Sequence, residues 1–235
     1  MRTGTIVLAT VLACVLSGLV TSPAEAAGAA APPTTGRIHS LRTATQAIVV
    51  TSDSWRTTRA VMRVWQRAGG RWRQVRGPMP ARIGRNGFSA HRHEGDGTTP
   101  AGSFGFVCGF GSRPNPGMHL AWRRLLPGSC WSGELSDYNR WVRRRCTRRD
   151  EDLWASALVA YRYAAVIDFN YRRPVYGRGS GIFLHRQTGG PTAGCVSLRE
   201  ADLVAVLRWL RPGARIVIVV TRKLMAPPTE ETPRI

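Results

Sequence analysis

Between Gly181 and Val220 the chain leaves few ways to fold. Gly181-Ile182-Phe183-Leu184-His185 is an apolar run of strand length, and the loop-forming stretch from Gln187 to Gly194 follows it. Leu203, Val206, Leu207 and Leu210 then recur at i, i+3, i+4 and i+7, which places four apolar side chains on one face of a helix. Ser197 with Glu200 three residues on has the form of a capping box, so the helix is expected to start there. Pro212-Gly213 ends it, and Ala214 to Val220 is a strand apolar enough to be buried on both faces.

Upstream, Val61 to Gln66 and Trp72 to Val75 are separated by the turn signal Gly69-Gly70 and read as a hairpin. A glycine-rich region runs from Gly84 to Gly117, followed by an arginine-rich insertion. Asp150 and Asp152 are expected to open a helix through Tyr161, because acidic residues suit a helix N-terminus. Ala164 to Phe169 is a further strand. The chain is therefore expected to be mainly β with a few helices, folded as one compact β-rich domain over residues 45–221. Trp55, Trp65 and Trp72 are assigned to core and hairpin packing.

The N-terminus carries Arg2, an apolar run from Ile6 to Val20 and the small-residue sequence Ala24-Glu25-Ala26. That is the pattern of a secretory signal peptide spanning 1–26, cleaved after Ala26. The apolar run is too short and interrupted for a membrane anchor, so no stable span is expected in the mature form. Residues 27–44 read as a linker and 222–235 as a flexible tail. Removal of the leader leaves about 209 residues, enough for one domain with a proper core.

The net charge of +20 calls for an anionic partner. Export points to anionic cell-wall polymers rather than nucleic acid, and no basic recognition motif is present. Nearly all the basic residues are arginine, as GC-rich codons alone would give, and clusters such as Arg143-Arg144-Arg145 read as a solvated face. An extracytoplasmic protein also meets an oxidising compartment. Of the four mature cysteines, Cys130 and Cys146 would close the shortest loop, leaving Cys108 unpaired. Spacing alone leaves a Cys108 to Cys130 bridge open.

The chemistry concentrates at His185 to Leu198. A cysteine two residues before a helix cap sits at the positive end of a helix dipole, which favours the thiolate. Gly194 lets the backbone approach closely, and its amide with that of Cys195 could receive an oxyanion. His185, at the end of a strand, is placed to accept the Cys195 proton. His91-Arg92-His93-Glu94, with Asp96, gathers possible zinc ligands but lacks the helical His-Glu-x-x-His spacing, so no metal or other cofactor is assigned.

Three segments resemble the L,D-transpeptidase catalytic domain of the YkuD type: Ile182-Phe183-Leu184-His185, Thr192-Ala193-Gly194-Cys195-Val196-Ser197-Leu198, and Thr99-Pro100-Ala101-Gly102-Ser103-Phe104. The resemblance implies that Cys195 forms a thioester with a peptidoglycan stem peptide. His185 is then its base, oriented by the carbonyl of Arg186, and Thr192, Ala193, Ser197 and Phe183 contact substrate. An amine acceptor would give a cross-link, whereas water would make the enzyme an L,D-carboxypeptidase. Ala193 stands where the family usually has a second histidine and Ser197 where it has Arg or Asn. These departures leave a non-catalytic cell-wall-binding protein as the rival reading.

Overall fold

In the hairpin strands every second side chain is apolar or small, and a ladder that buries one face results. The computed structural model describes Met1 and residues 41–221; the expected signal peptide, most of the expected linker and the expected tail lie outside the described residues. In chain order the strands begin with β1 (Gln46–Ser52), β2 (Arg59–Ala68) and β3 (Arg71–Arg82). Four short strands follow: β4 (Phe88–Ser89), β5 (Thr99–Pro100), β6 (Gly102–Phe104) and, slightly longer, β7 (Phe106–Gly111). Next come β8 (Trp122–Arg124), β9 (Ser129–Trp131), β10 (Trp141–Arg143), β11 (Glu151–Asp152) and β12 (Ala164–Ile167). The chain closes with β13 (Phe183–Arg186), β14 (Val196–Leu198), helix α1 (Glu200–Trp209) and β15 (Arg215–Val220).

Ten of these form one sheet in the order β6-β15-β1-β2-β3-β14-β13-β12-β7-β8. The β2–β3 turn uses Gly69 and Gly70 at φ of 55° and 75°, where a Cβ would be strained. In β2, Ala60, Met62 and Val64 are buried, with Arg59 and Arg63 alternating outward. β15 lies parallel to β1 and antiparallel to β6 near one edge of the sheet, which explains its unbroken apolar run. Leu203, Val206 and Leu207 of α1 press onto the same core as Ile48, Met62 and Leu184.

Three sequence expectations fail here for physical reasons. No helix spans Asp150 to Tyr161: Glu151 and Asp152 pair with Trp131 and Cys130 as β11, and residues 153–160 are turns. Asp150 is held by Arg144 at 3.1 Å and by the amide N–H groups of Gly133 and Thr147 instead of capping a helix. Ser197 is not the helix cap, because β14 continues through Leu198 with Ser197 opposite both His185 and Arg82, and the cap falls on Arg199. The expected linker ends early: Leu41 and Ala44 are buried beside Ala47, Trp65 and Trp72. Trp55, by contrast, remains over a third exposed.

Cys130 and Cys146 form a disulfide, and Cys108 is buried and free. The bridge fastens a three-stranded sheet, β10-β9-β11, that carries Trp131, Arg149, Asp150 and Glu151 to one wall of a cleft. Arg144 is no mere member of a solvated cluster, since it also bridges Asp137 at 2.8 Å within this insertion. Among the described residues no helix is long and apolar enough to cross a membrane.

Candidate active site

The parallel pair β13 and β14 sets the site. Its register places Leu184 opposite Val196 and His185 opposite Ser197, so Cys195, just before β14, stands next to Phe183. Alternation along β13 turns Phe183 and His185 to the same side. Both Cys195 and His185 line a cleft of about 520 Å³, together with Arg92, Glu94, Glu151, Tyr161, Ala193 and others.

The thiol is nearly enclosed, at 7 % exposure. It donates to the carbonyl of Gly181 and accepts from the amide of Phe183, each at 3.3 Å. Burial, with the Glu151 carboxylate adding to it, pushes the thiol up to about 12. The thiolate expected from a helix dipole is therefore not the resting form, because β14 separates Cys195 from α1. His185 is pushed the other way: burial lowers it to about 4, so it rests neutral. Its Nδ1 lies 2.7 Å from the carbonyl oxygen of Arg186. A carbonyl only accepts, so Nδ1 carries the proton and Nε2 presents the free lone pair. No hydrogen bond joins thiol to imidazole in this state. Such contacts often tighten only when substrate binds.

The turn that carries Cys195 is held from several sides. The Thr192 hydroxyl donates to the Cys195 carbonyl at 2.6 Å and accepts from the Gly194 amide at 3.1 Å. Thr99 donates to the same carbonyl at 3.3 Å and accepts from the amide of Gly84. The Thr99-Pro100 motif is thus a prop beneath Cys195, and the adjoining Gly102–Phe104 stretch pairs with β15. These bonds change two assignments. The Gly194 amide faces Thr192 rather than the cleft, so it is not free to receive an oxyanion, and the Thr192 hydroxyl is spent on the turn it braces.

Gly194 has another reason to be glycine. A Cβ there would lie 2.5 Å from Nη1 of Arg92 and 2.8 Å from the Thr98 carbonyl, at a φ of 149°. Arg92 is buried, pairs with Asp96 at 3.0 Å and also donates to that Thr98 carbonyl. The histidine-rich segment is therefore a scaffold for the Cys195 turn, with Asp96 further engaged by the amides of His93 and Thr98. Glu94 accepts the Tyr138 hydroxyl.

Of the remaining sequence candidates, Ala193 is exposed on the cleft wall. Phe183 is not: it is fully buried under the site, edge-on to Phe110, Trp131 and Tyr161. Ser197 is also buried, and its Oγ has no hydrogen-bond partner. Arg186 turns its guanidinium away to Glu200 at 3.0 Å, leaving only its carbonyl for His185. Glu151 and Tyr161 were missed by sequence reasoning, and Arg92 and Glu94 were named only within the His91-Arg92-His93-Glu94 segment, weighed as zinc ligands and set aside.

Ser197 gives a direct test of this placement. Removing an unsatisfied buried hydroxyl is expected to leave stability unchanged or raise it by about 1 kcal/mol in Ser197→Ala, whereas Ser197→Arg buries an unpaired charge and should unfold the domain. Urea denaturation of the two variants decides it; a well-folded Ser197→Arg protein would contradict the buried position.

The L,D-transpeptidase catalytic domain (YkuD) family model matches residues 46–219. No curated protein matches the chain. Among solved structures, the chain resembles L,D-transpeptidase 1 of Mycobacterium tuberculosis at 16% identity and a TM-score of 0.33, covering 75% of this chain and 62% of that one. It also resembles the helical cell shape determining protein Pgp2 of Campylobacter jejuni, at 14% identity and a TM-score of 0.37, covering 74% and 48%. The chain thus spans less than two thirds of the length of either structure. The match to the family model extends over most of the chain and takes in both segments that build the cleft, and on that match the protein belongs to the L,D-transpeptidase catalytic domain family.

Proposed function

We propose that the protein is an exported L,D-transpeptidase that forms a thioester between Cys195 and a peptidoglycan stem peptide. The observation that carries this reading is the shared cleft of Cys195 and His185, with Nδ1 of the histidine tied to the Arg186 carbonyl. Nε2 takes the thiol proton as Sγ attacks the carbonyl of the third stem residue. The protonated imidazole then gives that proton to the departing D-alanine amine. The amide of Cys195 is assigned to the oxyanion, and Ala193 offers a small, open wall to the stem.

Burial pushes the thiol up to about 12 and the imidazole down to about 4, which disfavours a free thiolate–imidazolium pair and supports proton transfer that accompanies attack on the substrate. The same numbers favour a second reading, a wall-binding protein with a silent thiol. The +20 charge serves both by drawing the protein to anionic wall polymers.

Incubation with tetrapeptide-bearing muropeptides followed by mass spectrometry separates the readings. Cross-linked product with an acyl adduct on Cys195 supports transpeptidation. Trimmed product alone makes the protein a carboxypeptidase. Untouched muropeptides, together with a Cys195 no more reactive to a mild electrophile than Cys108, would leave wall binding.

A further inference from the structure

Three carboxylates line the cleft, and they are treated differently by the fold. Asp150 is consumed by Arg144 and two backbone amides. Among the described residues Glu94 and Glu151 form no ion pair, in a chain whose net charge is +20. Glu151 is the one set against the nucleophile. β11 fixes its backbone opposite Trp131, and Tyr161 donates its hydroxyl to one carboxylate oxygen. The other oxygen would lie 3.1 Å from a Cβ on Gly181, the residue whose carbonyl holds the Cys195 S–H. Gly181 has a φ of 61° and no side chain, so nothing fills the space that such a Cβ would take between carboxylate and backbone.

We propose that Glu151, oriented by Tyr161, is the group that receives the ammonium of the acyl acceptor and removes its proton during resolution of the thioester. The inference rests on the transpeptidase reading and adds a residue to it. In that step the carboxylate takes one proton from the ammonium. The neutral amine attacks the thioester carbonyl, the C–N bond forms and the C–S bond breaks. His185 accepts the second amine proton and passes it to the departing sulfur, which restores the Cys195 thiol. The proton on Glu151 leaves to solvent.

The surroundings suit that role. Glu151 keeps open surface and lines the cleft. Desolvation, with the negative charge of Glu94 and against the Tyr161 hydrogen bond, holds the carboxyl up to about 7. A base is most effective when it titrates near the working pH. The other charged or titratable groups on the cleft are Cys195, His185, Arg85, Arg92, Arg149 and Asp150. Arg92 is paired with Asp96, Arg149 with Glu134 and Arg85 donates to the Gly95 carbonyl, so no cleft arginine is ion-paired with Glu151 among the described residues, and Asp150 is itself held by Arg144.

The test uses the full chain, a tetrapeptide stem as donor and a second stem with a free side-chain amine as acceptor, from pH 5 to 9. The ratio of cross-linked to hydrolysed product is read by mass spectrometry, because it is independent of how fast the thioester forms. Glu151→Gln keeps an acceptor for Tyr161, and it is expected to lower the ratio at least about tenfold at neutral pH and to abolish its rise through about pH 7. Tyr161→Phe, which frees the carboxylate to rotate and removes a hydrogen bond that holds it down, should give a smaller fall, with the pH-dependent rise kept but moved to higher pH. A structural fastening of β11 to the turn at Tyr161 would change the melting temperature but not the ratio. Acyl adduct on the wild-type Cys195 with an unchanged ratio and pH profile in both variants overturns the role of Glu151 alone. Absence of any adduct in the wild type overturns the transpeptidase reading and this inference together. If Glu151→Gln does not fold, an unchanged ratio in Tyr161→Phe is the overturning result.

Discussion

Cys195→Ala is expected to reduce turnover of a tetrapeptide donor to background, and His185→Ala to reduce kcat by about 10²- to 10⁴-fold. The two effects differ because their physical causes differ. Without Sγ there is no atom to carry the acyl group, so no thioester forms at any pH. Without the imidazole the thiol remains, but burial holds it at about 12, and almost none is ionised at neutral pH. Attack must then wait for water to reach an enclosed sulfur. His185→Ala should consequently recover part of its rate as pH rises toward 12, where the thiol ionises unaided, while Cys195→Ala stays flat. Fold integrity is checked by urea denaturation, since Cys195 is packed against the aromatic cluster of Phe110, Tyr161 and Phe183. Mass spectrometry of the acyl adduct and steady-state kinetics across pH read the outcome. Undiminished turnover by a well-folded Cys195→Ala protein would falsify the thioester mechanism.

How much of this was legible beforehand follows from the range of the interactions involved. The β2–β3 hairpin, β15 and α1 were readable because periodicity and turn residues act within about ten neighbours, and those local signals agree with the final packing. The Ser197-to-Glu200 pattern misled for the opposite reason. A capping box is local, but Ser197 is claimed by ladders to His185 and Arg82, far away in sequence, and pairing overrides capping. Acidic residues at 150–152 suggested a helix start for the same reason, until Arg144 and β9 took them. Cys195 and His185 could be found because they flank one loop. Glu151 and Tyr161 could not, since only the folding of a disulfide-fastened insertion brings them beside Gly181. Phe183 was assigned to substrate through the resemblance carried by Ile182-Phe183-Leu184-His185. The alternation of β13 does turn it to the same side, but the cluster of Phe110, Trp131 and Tyr161 covers it.

Arg92→Ala is expected to lower both stability and rate. The guanidinium is buried, so its removal strands Asp96 in a site where the carboxylate is only 8 % exposed. Breaking a buried pair by deleting one partner typically costs about 3–5 kcal/mol. The amides of His93 and Thr98 and the Thr98 hydroxyl still bind Asp96, which places the expected loss at about 3 kcal/mol, the lower end. Activity should suffer separately. Arg92 holds the Thr98 carbonyl and packs against Gly194, and the neighbouring Thr99 props the Cys195 carbonyl, so the variant releases the nucleophile turn on the side opposite Thr192. A misplacement of about 1 Å costs on the order of 10²-fold in rate, and kcat should fall by that much with KM changed less. Arg92→Lys distinguishes charge from shape: Asp96 and Thr98 are both held through Nη1, and a lysine ammonium keeps the charge but lacks the planar guanidinium that lies against Gly194, so it should recover stability more than rate. Gly194→Ala attacks the same contact from the other side, forcing a Cβ to within 2.5 Å of the guanidinium, and should lower kcat without removing any charge. If Arg92→Ala retains full kcat while losing only stability, the segment is a fold element and does not position the nucleophile.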